Sequence, residues 1–187
     1  MHIPNILTLL RIIMVPIIII LLLQASFLKA LIIFVIAGIT DGLDGFLARV
    51  LNQKTAVGAY LDPLADKALI LSSFITLSVL GMIPSWLTVI VISRDCMILV
   101  GISILALMGV PFDIKPAFVS KVTTTFQLLI IFLALVSKSI YIGFAPQSYH
   151  LDDAFYGTTA LLTIASGLNY IVVGVKCINH APSDKRN

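Results

Sequence analysis

Long apolar runs, separated by short segments of polar and turn-forming residues, restrict this chain to very few folds. Six runs are long and apolar enough to cross a lipid bilayer as helices, at residues 5–24, 28–51, 60–81, 85–108, 119–140 and 155–177. A helical span takes about 20 such residues, whereas the strands of a membrane β-barrel are shorter and alternate in hydropathy. The sequence therefore predicts an all-α integral membrane bundle of six transmembrane helices, which forms a single domain over residues 1–187.

The composition agrees with a membrane location and argues against several other classes of protein. Hydrophobic residues make up 59% of the 187 residues and charged residues only 11%, which lies outside the range of soluble domains. Cys96 and Cys177 lie in apolar runs and suggest neither a disulfide framework nor a zinc site. The net charge of +3 suits contact with anionic lipid, and the basic residues are too few to indicate nucleic-acid binding.

The distribution of basic residues predicts the orientation in the membrane. Six spans place both termini on one side, together with the basic residues Arg49, Lys54, Lys115, Lys121, Lys176, Lys185 and Arg186. Only Lys29 and Lys138 fall on the other side, so the positive-inside rule places both termini in the cytoplasm. No small-residue cleavage site follows the first run, so we expect it to be retained as a helix. A bacterial inner membrane fits this chain, and the mature form of an organellar protein is the alternative.

Four carboxylates are concentrated in the segment DGLDGFLARVLNQKTAVGAYLDPLAD, residues 41–66. Asp41 and Asp44 are three residues apart and share one face of a helix, and Asp62 and Asp66 are four apart and share a face of the next helix. Two antiparallel helices would bring all four carboxylates to one point at the cytoplasmic end. The plainer alternative is four interfacial charges that water and lysine satisfy.

Converging carboxylates need cationic partners because like charges repel. Arg49 and Lys67 are too few to neutralise four anions, whereas hard divalent cations such as Mg²⁺, Mn²⁺ or Ca²⁺ prefer carboxylate oxygens. Two metal ions held by shared carboxylates recur in phosphoryl transfer. A transporter or ion channel is the alternative from another class, because buried carboxylates also mark ion pathways. It is disfavoured because all four aspartates fall in one hairpin and have no counterpart later in the chain.

The same segment resembles the signature of the CDP-alcohol phosphatidyltransferase family, D-x2-D-G-x2-A-R-x8-G-x3-D-x3-D. The fixed positions, with every spacing kept, are Asp41, Asp44, Gly45, Ala48, Arg49, Gly58, Asp62 and Asp66. The layout of six helices also agrees with that family, so the resemblance covers most of the chain. A related subunit without activity would be expected to lack part of this signature.

The resemblance implies transfer of a phosphatidyl group from a CDP-linked lipid, usually CDP-diacylglycerol, to an alcohol, with release of CMP. It implies a divalent cofactor, Mg²⁺ or Mn²⁺ as two ions, with the ligands Asp41, Asp44, Asp62 and Asp66. Asp66 would also be the general base. The resemblance places Gly45, Ala48, Arg49 and Gly58 around the nucleotide of the CDP-lipid. Asn5, outside the signature, is a further candidate contact to the CDP-lipid. The resemblance further implies a homodimer and an active site that faces the cytoplasm.

The acceptor alcohol is predicted from positions at which this chain differs from other members of the family. The segments IPNILTLLR and RVLNQKTAVGAYLDPLADK resemble the branch that makes polyglycerol phospholipids, in which the acceptor is phosphatidylglycerol or sn-glycerol 3-phosphate. Members that use glycerol 3-phosphate typically carry a further Arg where this chain has Ile102, and a further Lys where it has Thr123. A small dianion needs several cationic donors. Fewer cations favour phosphatidylglycerol, with cardiolipin as the product; glycerol 3-phosphate remains the alternative.

The remaining basic residues are candidates for binding the acceptor. We expect Arg94, Lys121 and Lys115 to contact it, because an arginine inside an apolar span favours a functional role. Lys121 has the alternative of marking a helix end. Adjacent residues do not share a helix face, so Asp95 is not expected to be the ion partner of Arg94. Arg11, like Asn5, is either an interfacial residue, with a charge that snorkels to the membrane surface, or a contact to the substrate phosphates.

Overall fold

A computed structural model of the chain describes residues 3–50, 56–107, 118–140 and 153–179, with side chains described at 8–42, 65–104, 107, 119–139 and 153–175. Helices account for these ranges, apart from short turns, and no strand occurs within them. The helices are α1 (Ile3–Leu23), α2 (Phe27–Val50), α3 (Ala56–Val79), α4 (Ser85–Leu107), α5 (Phe118–Ile140) and α6 (Asp153–Asn179). The predicted all-α class is confirmed over the described ranges, with six helices.

Several of these helices have the character of membrane spans. Within the described residues, three segments are long and apolar enough to cross a bilayer: Ser85–Ile104, Val119–Ser139 and Asp153–Val175. Thr8–Leu23 of α1 is a shorter apolar stretch. The chain is therefore an integral membrane protein by its helices, and the full set of six spans stays a prediction.

The turn between α1 and α2 is a Schellman motif. The amide of Ser26 donates to the Leu21 carbonyl at 2.9 Å, and the amide of Ala25 donates to the Leu22 carbonyl at 3.0 Å. These bonds satisfy carbonyls that the end of α1 would otherwise leave without a donor. Ala25 adopts a left-handed φ of 54°, a conformation in which glycine is usual because it has no Cβ.

The turn after α3 has the same geometry, with glycine, the usual residue, at the left-handed position. Gly81 has a φ of 69°; its amide donates to Ser78 at 3.0 Å, and the amide of Met82 donates to Leu77 at 2.9 Å. Pro84 follows and cannot continue a helix, so α4 begins afresh at Ser85.

The chain divides into two compact units, residues 1–88 with 128–151, and residues 89–127 with 152–187. In the first unit α1 packs along both α2 and α3. On α2 the buried residues Ala30, Phe34 and Ala37 recur at the spacing of one helix face. Helix α2 therefore turns one stripe inward, and Asp41, described next, lies at the end of that stripe.

Candidate active site

Arg11 lies on the buried face of α1. Thr8, Arg11, Ile18 and Leu22 are all buried and occupy one side of this helix. The Arg11 side chain is 0% exposed. Its Nη1 atom forms an ion pair with Asp41 Oδ1 at 2.8 Å and donates a hydrogen bond to Asp66 Oδ1. A single guanidinium nitrogen thus joins α1 to two aspartates of the family signature.

The two aspartates reach this nitrogen because each continues an inward stripe. Asp41 follows Ala37 by four residues on α2, and Asp66 precedes the buried Ile70 by four residues on α3. Their side chains are 46% and 40% exposed, whereas Arg11 is enclosed. The carboxylates therefore face both the buried cation and open space, as groups that meet a substrate must.

The other signature positions lie on the same helices. Asp44 falls on α2 and Asp62 on α3, at the predicted helical spacings from Asp41 and Asp66. Their side chains are outside the described set, as are those of the predicted CDP-lipid contacts, namely Gly45, Ala48, Arg49, Gly58 and Asn5. Lys115 lies outside the described residues altogether. The convergence of all four carboxylates stays a prediction.

The donor set fits a hard divalent cation. Asp41 and Asp66 supply carboxylate oxygens from two helices to one point, and such oxygens are the ligands that Mg²⁺ and Mn²⁺ prefer. Among the described side chains no group of three or more His, Cys, Asp and Glu comes together. Two of the four predicted metal ligands thus meet at one atom, and the metal site itself stays a prediction.

A second arginine forms a buried polar cluster in the other unit. Arg94 is 6% exposed and donates from Nη2 to Ser120 Oγ at 2.7 Å and to Ser166 Oγ at 2.8 Å. Its guanidinium carbon lies 6.0 Å from the centre of the Tyr170 ring. The guanidinium thus connects α4 with α5 and α6. Its Nε atom is buried and has no hydrogen-bond partner among the described residues.

The expectation that Asp95 is not the ion partner of Arg94 was wrong. Arg94 Nη1 donates to Asp95 Oδ1 at 2.6 Å, and both side chains are buried. Adjacent residues do point in different directions from a helix, but the long arginine stem lets the guanidinium turn back around the helix surface. A buried carboxylate beside a buried guanidinium removes the cost of an isolated charge.

Lys121 and Thr123, which both lie on α5, differ in solvent exposure. Lys121 is exposed, so its ammonium is accessible, and its role in binding the acceptor stays a prediction. Thr123 is fully buried, and its hydroxyl lies 2.8 Å from the Val119 carbonyl and 3.1 Å from the Leu162 carbonyl of α6. Thr123 therefore serves the packing of α5 on α6.

An apolar cavity of about 310 Å³ lies between α4 and α6 in this unit. Its lining includes Ile98, Gly101 and Ile102 of α4, with Tyr170 and Gly174 of α6. A methyl-sized group built on Gly101 or Gly174 meets no atom within 4 Å, so these glycines widen the cavity. The cavity offers space for a hydrocarbon chain and almost no polar contact.

A comparison with known protein families assigns the chain to one of them. Residues 1–172 match the family described as CDP-alcohol phosphatidyltransferase, which is most of the 187 residues. This chain belongs to that family. The resemblance inferred from the eight-position signature is thereby confirmed.

The relatives of this chain carry two kinds of name. The chain is 36% identical to "Cardiolipin synthase (CMP-forming)" of Rattus norvegicus, over 94% of this chain and 62% of the rat protein. It is 34% identical to "Probable phosphatidylglycerophosphate synthase" of Mycobacterium tuberculosis, over 95% of this chain and 83% of that protein. It is 30% identical to "CDP-diacylglycerol--glycerol-3-phosphate 3-phosphatidyltransferase" of Bacillus subtilis, over 90% and 93%. The chain spans about three fifths of the rat protein, and the names do not separate the two acceptors.

Sequence reasoning missed the ion pairs of Arg11. The snorkelling alternative is wrong because the side chain is fully buried, and the contact with Asp41 and Asp66 was not foreseen. A signal was present in the sequence, because position 11 shares a helix face with Thr8, Ile18 and Leu22. That spacing places the charge inside the bundle.

Proposed function

We propose that this phosphatidyltransferase transfers the phosphatidyl group of CDP-diacylglycerol to a glycerol hydroxyl of phosphatidylglycerol, which yields cardiolipin and CMP. The observation that carries the proposal is the meeting of Asp41 and Asp66 at one point. They are the first and last positions of the family signature, and they come from different helices. The relatives from rat, Mycobacterium and Bacillus agree with a polyglycerol phospholipid as product.

The chain's residues would divide the chemistry as follows. Asp66 accepts the proton of the attacking hydroxyl group. At the same time, the oxygen of that hydroxyl group forms a bond to the lipid-side phosphorus of the pyrophosphate. The phosphorus–oxygen bond to CMP breaks, and CMP leaves with the electron pair. The ligands of a divalent cofactor, Mg²⁺ or Mn²⁺ as two ions, would be Asp41, Asp44, Asp62 and Asp66. When bound, the metal stabilises negative charge on the pyrophosphate and on departing CMP.

The nucleotide half of the substrate would meet the rest of the signature. Gly45, Ala48 and Gly58 have small side chains or none, so the CDP group can approach the backbone closely. Arg49 would donate two hydrogen bonds to a phosphate, and Asn5 of α1 would add a polar contact. The assignments of Gly45, Ala48, Arg49 and Gly58 derive from the matching positions of the family signature.

The acceptor proposal draws on Ile102 and Thr123. Ile102 lines the apolar cavity, and Thr123 is buried against α6, so neither position presents a cation to a small dianionic acceptor. The cavity suits an acyl chain of a lipid acceptor, with Arg94, Lys121 and Lys115 as the candidate contacts to its phosphate. Transfer to sn-glycerol 3-phosphate is the second candidate, because relatives at 34% and 30% identity carry that activity in their names.

The membrane arrangement is part of the same proposal. Six spans in a single domain over residues 1–187 would leave both termini in the cytoplasm, with the carboxylate site facing that side. The distribution of basic residues near the ends of the apolar runs favours this orientation. A bacterial inner membrane and a homodimer are the proposed context, the dimer on family resemblance alone.

Lipid mass spectrometry would test the proposal. Protein purified in detergent receives CDP-diacylglycerol and Mg²⁺ or Mn²⁺, with phosphatidylglycerol in one tube and glycerol 3-phosphate in another. We expect a four-chain product and CMP with phosphatidylglycerol. Asp66→Asn should stop CMP release, whereas Asp153→Asn, at an exposed position on α6, should not. Phosphatidylglycerophosphate made only with glycerol 3-phosphate would move the assignment to the second candidate, and neither product would refute both.

A further inference from the structure

One cation is built into the carboxylate site itself. The Nη1 atom of Arg11 is shared by Asp41 Oδ1 and Asp66 Oδ1, so a protein nitrogen sits between two of the proposed metal ligands. The two carboxylates are partly exposed, whereas the guanidinium is fully enclosed. A metal ion that reaches these oxygens from the open side therefore meets a positive charge that is already in contact with them.

The burial of Arg11 makes its contact with the two carboxylates stabilising for the fold. An arginine stays charged under all ordinary conditions, and an enclosed charge is costly unless an opposite charge pairs with it. Arg11 lies on α1, Asp41 on α2 and Asp66 on α3, and α1 packs along both of the other helices. The ion pairs therefore hold three helices together at the level of the proposed active site.

The same contact opposes metal binding. Both Arg11 and a divalent cation need carboxylate oxygens, and two cations close to the same oxygens repel each other. Asp41 and Asp66 bear at most two negative charges, and Arg11 balances one of them. Any ion bound by this pair has to share or displace the guanidinium.

We propose that Arg11 is the internal counter-cation of the carboxylate site. Its guanidinium holds Asp41 and Asp66 together while no metal is bound, and it competes with divalent metal for their oxygens. Metal affinity is thereby lowered, and the metal-free protein keeps its bundle intact. Arg11 is in this sense a positioning residue for Asp66. The inference rests on the proposed function, since it takes the carboxylates to be metal ligands.

Thermal unfolding of the full chain in detergent, without substrate, tests this directly. Wild-type protein, Arg11→Gln and Arg11→Lys are first measured in EDTA and then titrated with MnCl₂. We expect Arg11→Gln to lower the unfolding midpoint in EDTA and to recover most of the loss at saturating Mn²⁺. Its half-saturating Mn²⁺ concentration should fall by about tenfold, because a competing positive charge is gone. Arg11→Lys keeps the charge and should stay close to wild type in both respects.

Arg94→Gln is the matched control. Arg94 is also a buried arginine, but its partners are Asp95, Ser120 and Ser166. The same substitution there should lower the unfolding midpoint equally in EDTA and in Mn²⁺, and it should leave the half-saturating concentration unchanged. A loss that responds to metal only for Arg11 separates a counter-cation from a general effect of removing buried charge.

Two results would overturn the inference. One is a loss for Arg11→Gln that is the same with and without Mn²⁺, which would make Arg11 a purely structural contact. The other is a higher half-saturating concentration, which would mean that Arg11 supports metal binding. If wild type makes lipid product with metal and either result occurs, this inference fails alone. If wild type neither makes product nor responds to Mn²⁺, the proposed function fails with it.

A double variant keeps the test decisive if Arg11→Gln does not fold. Arg11→Gln with Asp66→Asn removes one positive and one negative charge and restores the balance at the contact. We expect this variant to be more stable in EDTA than Arg11→Gln alone, because the energies of contacting residues do not add. Equal instability of the double and single variants would refute the counter-cation role.

Discussion

Arg94 offers the sharpest quantitative prediction, because its partner Asp95 is buried with it. In Arg94→Gln the Asp95 carboxylate, only 5% exposed, loses the guanidinium that contacts it at 2.6 Å. Removing one partner of a buried ion pair costs about 3–5 kcal/mol. The hydroxyls of Ser120 and Ser166 add little to this loss, because helical serines can donate to carbonyls of their own helix.

The expected effect is large enough to measure by thermal unfolding in detergent. Each kcal/mol lowers the midpoint by about 2–4 °C in a chain of this size, so Arg94→Gln should unfold roughly 6–20 °C below wild type. Arg94→Gln with Asp95→Asn removes both charges and should recover most of the loss. A single variant within about 2 °C of wild type, or a double variant as unstable as the single one, would refute the ion-pair reasoning.

The double variant also tests the acceptor role of Arg94. Its fold is expected to be intact, so a change in kinetics reports on substrate contact. If the buried Nε of Arg94 meets the acceptor phosphate, the KM for phosphatidylglycerol should rise about tenfold, the scale of one charged hydrogen bond. An unchanged KM would restrict Arg94 to the packing of α4, α5 and α6.

Three further predictions concern catalysis, turns and the cavity. Asp66→Asn should reduce CMP release by about 10²–10⁴-fold while the protein stays folded, and full activity would remove the general-base assignment. Ala25→Gly should raise the free energy of unfolding by about 1 kcal/mol, and Gly81→Ala should lower it by about 1 kcal/mol, because both positions have a left-handed φ. Thermal unfolding measures both changes, and opposite signs would contradict the turn geometry. Gly174→Leu should fill part of the cavity and weaken transfer to long-chain phosphatidylglycerol more than to a short-chain analogue, whereas Gly157→Leu, an equally open position on α6 outside the cavity lining, should affect neither.

The helices were predictable because hydropathy and chain length leave few alternatives. The run at 85–108 corresponds to α4 (Ser85–Leu107), and the run at 119–140 to α5 (Phe118–Ile140). The largest shift is at α3, which begins at Ala56 rather than at residue 60. Hydropathy detects the apolar part of a helix, and it does not fix the residue at which the first turn begins.

The contacts of the two buried arginines were harder to predict. Arg11 and Asp66 are 55 residues apart, and no local pattern links them. Helical spacing could have placed Arg11 on the inward face, but it could not have selected which carboxylates that face would meet. At Arg94 a rule about side-chain direction was applied to a side chain long enough to bend around its own helix, and Asp95 was excluded for that reason.

The adjacency of Arg94 and Asp95 also bears on how the chain would enter a membrane during synthesis. In the proposed fold α4 is inserted before α5 and α6 have been translated, so Ser120 and Ser166 are not yet there to receive the guanidinium. An arginine at the centre of an inserting helix costs about 2.5–3.5 kcal/mol. Asp95 is already present, because it is the next residue to leave the ribosome, and the 2.6 Å contact lies within α4 alone. The carboxylate therefore accompanies the guanidinium into the lipid, and the bonds to the later helices form once those helices arrive.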